Sequence, residues 1–116
     1  MGNWDFDENI TSPARLSILA ALAPGESLSF TDLKRRTGLA DGNLHVQTRK
    51  LEAAGYVEIQ KSMKGRRSFT QFHLTELGLE RLRLHVRKLQ SILKSADGVI
   101  RPVLAGERED DSQVWS

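Results

Sequence analysis

The most constraining feature of the sequence is a pair of predicted helices separated by only three residues. Residues 30–37 have helical spacing and end at Gly38, a residue type that commonly closes a helix in the left-handed conformation. Asp41 is predicted to cap a second helix that reaches residue 54. Two helices joined by so short a glycine-containing turn predict a helix-turn-helix.

The flanking segments predict one helix before this pair and a β-hairpin after it. Ser12 and Pro13 suit the N-cap and the first helical position of the earlier helix. Residues 56–61 and 68–74 alternate apolar and polar side chains, which is typical of half-buried strands. The glycine-centred turn over residues 63–67 joins these strands, so a hairpin with a basic tip is expected.

A long helix is predicted from Thr75, with an apolar seam at steps of three and four residues. The seam is longer than a small helical core requires, so we expect its far end to pair with a second copy of the chain. We therefore expect an N-terminal arm over residues 1–10, one folded domain over residues 11–95 and a flexible acidic tail over residues 96–116. The seam consists of Leu79, Leu82, Val86, Leu89 and Leu93.

The net charge of +2 conceals a strong asymmetry along the chain. Residues 32–94 hold 14 Lys and Arg against 6 Asp and Glu, a net charge of +8, whereas the rest of the chain has a net charge of −6. A basic segment between acidic ends favours a polyanionic partner. The alternative is an ordinary solvated surface that is rich in lysine and arginine.

Composition also argues against several function classes. Cysteine is absent, which excludes disulfides, a cysteine nucleophile and thiolate metal sites. His45, His73 and His85 lack carboxylate partners at the spacing of a catalytic triad or a metal pair. We therefore expect neither an enzyme nor a metal or other cofactor. The longest uncharged run, residues 16–25, is too short to span a bilayer.

Several segments resemble the MarR/ArsR-like group of small winged-helix transcriptional regulators. The resemblance covers most of the chain, and it implies a mainly α fold with a small β-hairpin: a winged helix-turn-helix with a long C-terminal dimerisation helix. It also implies a homodimer, because relatives dimerise through their terminal helices, and a cytoplasmic, nucleoid-associated protein of a prokaryote. The matching segments are residues 12–19, 41–57, 64–67 and 74–78.

The second helix of the pair is expected to enter the major groove of double-stranded DNA, N-terminal end first. Asparagine can pair with adenine and arginine with guanine, a valine can touch a thymine methyl, and a glycine lets the backbone approach a phosphate. For the histidine, a contact with DNA and the absence of any role are equally weighted alternatives. The candidate contacts are Gly42, Asn43, His45, Val46, Arg49 and Lys50.

Basic residues elsewhere are expected to hold the DNA backbone. The hairpin tip is predicted to reach the minor groove, and the first helix of the pair to meet phosphates where it crosses the backbone. The alternatives are a charged edge that prevents sheet aggregation, and a solvated helix face. The tip residues are Lys61, Lys64, Gly65, Arg66 and Arg67, and the helix residues are Lys34, Arg35 and Arg36.

The sequence therefore predicts a homodimeric, sequence-specific DNA-binding regulator, most simply a repressor of a pseudo-palindromic operator. A winged-helix module for protein–protein interaction and a nonspecific architectural DNA-binding protein are the alternatives. Trp4 and Phe6 are expected to join the dimer interface, although a disordered arm is nearly as well supported. A small-molecule effector is a further candidate partner that nothing in the sequence identifies.

Overall fold

The computed structural model describes the backbone of residues 6–115 and the side chains of residues 6–96. The chain divides into two compact units, Met1–His85 and Val86–Ser116, and the second consists of the later part of the last helix. No helix in the described residues is long and apolar enough to cross a membrane. The elements are α1 (Glu8–Thr11), α2 (Pro13–Leu22), β1 (Leu28–Ser29), α3 (Phe30–Thr37), α4 (Asp41–Ala53), β2 (Val57–Lys64), β3 (Arg67–Leu74) and α5 (Glu76–Trp115).

The predicted mainly α arrangement with a small β-hairpin is confirmed. Helix α2 begins after Ser12, whose Oγ accepts a bond from the Arg15 amide at 3.4 Å. Helix α3 begins after Ser29 and ends at Gly38, which has a φ of 72° and so occupies the left-handed region. These caps satisfy backbone groups that a helix end leaves without partners.

Helix α1 was not predicted, because four residues are too few to show a periodic pattern. Asp7 caps it by accepting a bond from the Asn9 amide at 2.9 Å. Ile10 is fully buried, which attaches the segment to the domain core. The N-terminal arm predicted over residues 1–10 thus contains a helical turn in its described part, whereas residues 1–5 lie outside the described residues.

The prediction that Asp41 caps α4 is wrong. The N-cap is Ala40, which makes no side-chain capping bond, and Asp41 is the first helical residue. The carboxylate of Asp41 instead forms an ion pair with Lys34, whose Nζ lies 2.6 Å from Oδ1. An ion pair with the preceding helix has replaced the local capping bond, while the negative charge still suits the first turn of α4.

The three-stranded antiparallel sheet has the order β1-β3-β2, with β1 supplying a short edge. Strands β2 and β3 extend further towards the turn than predicted, because Met63 pairs with Ser68 and Lys64 with Arg67. Only Gly65 and Arg66 remain in the turn, and Gly65 has a φ of 65°. The hairpin is therefore a long projecting wing.

Helix α5 begins against the α4–β2 junction. Thr75 caps it as predicted, since Oγ1 accepts a bond from the Gly78 amide at 3.0 Å. The same hydroxyl donates to the Gly55 carbonyl at 2.6 Å, and the Thr75 amide donates to the Tyr56 carbonyl at 3.0 Å. A Cβ at Gly78 would overlap the Tyr56 carbonyl, so this close approach requires glycine.

The predicted end of the ordered domain at residue 95 differs from the extent of this helix, which continues to Trp115. The acidic side chains of the predicted tail, from residue 97 onwards, lie outside the described residues. The predicted domain boundaries therefore stay predictions.

Candidate nucleic-acid interface

Helix α4 has one face in the core and another in solvent. Leu44, Thr48 and Leu51 are buried, at 0%, 1% and 0% exposure. The Thr48 hydroxyl donates to the Leu44 carbonyl at 2.8 Å, so its burial leaves no unpaired donor. This inner face fixes the direction of the opposite face, whose exposed residues are Gly42, Asn43, His45, Val46, Arg49 and Lys50.

Two residues of the outer face have distinctive surroundings. Val46 is 51% exposed, which leaves its methyl groups available for contact. The His45 ring stacks on Phe30, with ring centroids 4.4 Å apart and an interplanar angle of 23°. This packing contact gives the histidine a structural role, and one face of its ring is covered.

A hydrogen-bond chain that the sequence did not predict reaches α4 from α2. Arg15 Nη1 donates to Gln47 Oε1 at 2.7 Å, and Gln47 Nε2 donates to Asn43 Oδ1 at 3.0 Å. The spacing of Asn43 and Gln47, one helical turn apart, is a signal for the second bond. No local pattern could indicate the first, because Arg15 and Gln47 are 32 positions apart.

The wing carries its cations without neutralising partners among residues 6–96. Lys64 and Arg67 form a directly opposed cross-strand pair at its tip, followed by Gly65 and Arg66 in the turn. Like charges in opposed positions repel each other. The predicted residues Lys61, Lys64, Gly65, Arg66 and Arg67 are thus brought together on one exposed projection.

The basic residues of α3 differ from those of the wing, because each has an acidic partner. Lys34 pairs with Asp41, Arg35 with Asp32 at 3.3 Å and Arg36 with Glu26 at 3.9 Å. The hydrogen bond and charge of Lys34 lower the pKa of Asp41 from its ordinary value of 3.8. Exposed ion pairs of this kind contribute little to stability, so a phosphate can replace the carboxylate at small cost.

A cleft of about 150 Å³ lies between α4 and the wing. Its wall includes the aromatic rings of Phe30 and Phe72 and the cationic side chains of Arg49 and Lys61. The last two residues belong to the predicted helix and wing groups respectively. The cleft therefore brings one cation of each candidate surface to the same depression.

The apolar seam of α5 divides between two environments. Leu82 is 8% exposed and belongs to the core of the first unit, so its predicted place in a dimer interface is corrected to an intramolecular one. Leu79 is half-buried. Val86, Leu89 and Leu93 are 42%, 39% and 65% exposed.

Of the two aromatic residues predicted for the dimer interface, the structure describes only one. Phe6 packs edge-on against His85, with ring centroids 5.7 Å apart, and is thus attached to its own domain. Trp4 lies outside the described residues.

Comparison with known proteins gives consistent results. The winged helix DNA-binding domain family matches residues 14–93. An uncharacterized protein of Methanocaldococcus jannaschii is 33% identical over 86 residues, which are 74% of this chain and 94% of that protein.

Two solved structures show the same architecture. The transcriptional regulator homologue protein from Pyrococcus horikoshii OT3 has a TM-score of 0.73 at 26% identity, covering 78% of this chain and 90% of that chain. The transcriptional repressor BigR from Xylella fastidiosa has a TM-score of 0.59 at 26% identity, covering 73% and 79% respectively.

Proposed function

The chain belongs to the winged helix DNA-binding domain family, and from that membership we propose that it is a homodimeric regulator of transcription that binds specific sequences in double-stranded DNA. The observation that carries the proposal is the set of chemical groups exposed on the outer face of α4. This face presents amide, apolar and guanidinium groups, while three buried residues hold the opposite face in the core. Such a mixture suits base edges, which offer hydrogen-bonding groups and thymine methyls.

In this proposal α4 lies in the major groove with its N-terminal end nearest the bases. Asn43 and Arg49 read base edges, Val46 touches a thymine methyl, and Gly42 allows a phosphate to approach the backbone. The Arg49 side chain forms no ion pair with any side chain of residues 6–96, so its guanidinium is available for guanine.

The wing supplies contacts that do not depend on sequence. The opposed Lys64 and Arg67 repel each other in the free protein, and a phosphate between them would remove that repulsion. Arg66, at the tip of the turn, reaches the minor groove beside the site read by α4. Lys34, Arg35 and Arg36 exchange their carboxylate partners for phosphates on the flanking backbone.

The dimer forms through the exposed part of the α5 seam. Val86, Leu89 and Leu93 repeat at steps of three and four, the spacing of a coiled-coil interface. A two-fold dimer reads a pseudo-palindrome whose half-sites lie about one helical turn apart. We propose repression because the repressor BigR has the same fold at 26% identity, and because a bound dimer occludes a promoter.

Selection from a random duplex pool at about 0.1 M salt tests the proposed function, since weak phosphate contacts are already partly screened there. We expect enrichment of an inverted repeat with half-sites about one turn apart. Retention of DNA without enrichment would indicate an architectural DNA-binding protein. Failure to retain DNA, even at lower salt, would favour a module for protein–protein interaction.

A further inference from the structure

The hydrogen-bond chain from Arg15 to Asn43 begins on the backbone of α1. Arg15 Nε donates to the Asn9 carbonyl at 3.0 Å, and Nη2 donates to the Glu8 carbonyl at 3.0 Å. The remaining branch of the guanidinium, Nη1, donates to Gln47 at 2.7 Å. Three separate bonds therefore hold the planar guanidinium in one orientation, and Gln47 faces a fixed donor.

The chemistry of arginine determines the orientation of both amides. A guanidinium has donors and no acceptor, so the Gln47 atom that faces it must be the oxygen. The amide nitrogen of Gln47 then points towards Asn43, where it can only donate. The atom of Asn43 that receives this bond must be Oδ1, as found at 3.0 Å.

The Asn43 amino group, Nδ2, is consequently left facing outward. No side chain or carbonyl of the described residues accepts a bond from it. Asn43 itself is exposed on the outer face of α4, within the helix turn expected to lie nearest the bases. The group that Asn43 offers to DNA is thus a hydrogen-bond donor.

We propose that Arg15 and Gln47 are positioning residues that determine the base preference of Asn43, by fixing its amide so that Nδ2 points at the DNA. This inference rests on the proposed function and makes it more specific. In the major groove, guanine O6 and N7, adenine N7 and thymine O4 accept such a bond, whereas cytosine offers only a donor. Cytosine is therefore excluded at the base that Asn43 contacts, whereas guanine, thymine and adenine are accepted.

The substitution Gln47→Glu tests the proposal by reversing the direction of the hydrogen bond between residues 47 and 43. A carboxylate accepts from Arg15 as glutamine does, but it can only accept from Asn43, so Nδ2 must turn inward and Oδ1 outward. Selection from random duplexes should then show cytosine or adenine at the base pair that Asn43 contacts. That base pair is identified as the one whose preference Asn43→Ala abolishes. We expect the ratio of cytosine to guanine or thymine there to rise about tenfold.

Control variants separate positioning from charge and from stability. Gln71→Glu introduces the same charge on the exposed surface of β3, where the side chain makes no hydrogen bond with the described residues, and it should lower affinity without changing any base preference. Arg15→Met should make the Asn43 position accept all four bases, because Gln47 is then free to rotate. Arg15→Lys retains a donor for Gln47 and should restore much of the discrimination against cytosine.

A second measurement needs no DNA. The side-chain amide protons of Gln47 should exchange slowly with solvent by NMR in the natural protein and in Arg15→Lys, and faster in Arg15→Met. An unchanged preference in Gln47→Glu would overturn the proposal, as would equal exchange in all three proteins. If the natural protein enriched no sequence, the proposed function would fail. The exchange rates would then decide by themselves whether Arg15 orients these amides.

Discussion

At the scale of single residues, the Tyr56 hydroxyl donates to the carboxylate of Asp7, 49 positions away, and so attaches the N-terminal segment to the domain. Burial raises the pKa of Asp7, but the bonds from Tyr56 and Asn9 outweigh it and lower the pKa below 3.8. Burial, followed by the bond to Asp7, raises the pKa of Tyr56 above 10.0. The pair therefore favours the ionised carboxylate beside the neutral phenol.

The substitution Tyr56→Phe should lower the free energy of unfolding by about 1–2 kcal/mol at neutral pH, since a carboxylate loses its donor. The folded pKa of Asp7 is depressed, so its contribution is present above about pH 4 and is lost as the pH falls through the folded value. The contribution of Tyr56 is present below about pH 10 and is lost as the pH rises through its folded pKa.

Urea unfolding between about pH 7 and pH 2.5 measures the acid part of this effect. The natural protein should lose stability more steeply than Tyr56→Phe in this range. Parallel curves for the two proteins would mean that the bond does not perturb the titration of Asp7.

The caps at Ser12 and Thr75 could be predicted from sequence because donor and acceptor lie within three positions of each other. Asp41 was predicted wrongly because its competing partner, Lys34, approaches from the preceding helix. A helix cap can therefore be predicted from the sequence wherever no residue from a distant part of the chain forms a stronger bond with the capping side chain.

Glycine at position 42 provides a test in which stability and binding change in opposite directions. Its φ is not positive, and an added Cβ would meet no atom within 4 Å, so Gly42→Ala should stabilise the helix by about 0.5–1 kcal/mol. DNA affinity should nevertheless fall, because the added methyl group separates the backbone from the phosphate.

The matched control is Gly38→Ala, at a φ of 72°. It should cost about 1 kcal/mol of stability and leave the affinity of the folded protein unchanged. Unaltered DNA binding in Gly42→Ala would exclude a close approach of phosphate at this point.

At the scale of elements, α4 and the wing present different chemistry on one connected surface. The length of α4 and its buried face were predictable, since Leu44, Thr48 and Leu51 repeat at helical spacing. The full length of the wing was not, because alternation fades where both strand faces are exposed. Cross-strand pairing, rather than burial, continues the hairpin as far as Lys64 and Arg67.

Arg49→Ala should relax sequence preference at one base pair of each half-site, at a cost of about 1–3 kcal/mol in discrimination. Arg66→Ala should weaken binding to all sequences and reduce the salt dependence, since it removes contacts with the backbone and minor groove. Competition binding against specific and scrambled duplexes, at several salt concentrations, separates the two effects.

Arg83→Ala is the matched control, because Arg83 is exposed on α5, outside the candidate surface. The substitution removes the same positive charge. Equal and sequence-independent losses from Arg49→Ala and Arg66→Ala would refute the proposed division between helix and wing.

At the scale of the whole molecule, the winged-helix character implied by the resemblance is confirmed by the match of the winged helix DNA-binding domain family over residues 14–93. The sequence predicted the order of the elements and the segregation of charge. It could not show that the α5 seam divides, because Leu82 and Leu89 have the same residue type and the same helical spacing. Only the packing of the first unit distinguishes the buried residue from the exposed one.

Leu93→Glu should convert the proposed dimer into a monomer, because it places a charge on a side chain that is 65% exposed and contributes little to the fold. Sedimentation should give the mass of one chain, 13.0 kDa. If each subunit neutralises about four phosphates, the log–log slope of affinity against salt concentration should be roughly −7 for the dimer. For the monomer the slope should be shallower, at about half that value.

The control Leu77→Glu makes the same change at a leucine that is 40% exposed and outside the seam. It should retain both the dimer mass and the steeper slope. A dimer that persisted in Leu93→Glu would place the interface elsewhere on the chain.

The separation of the two faces of α4 has a consequence for how such proteins diverge. The residues that hold the helix in the core are different from those that face outward, and Val46, Arg49 and Lys50 can be exchanged without repacking any buried side chain. A duplicated gene could therefore acquire a new target site through a few surface substitutions while the fold is inherited unchanged. Asn43 and His45 are exceptions, because the hydrogen-bonding partners of Asn43 and the Phe30 ring that stacks on His45 would have to change with them. In a lineage of such regulators, positions 15, 43 and 47 should therefore vary together, whereas position 49 should vary alone.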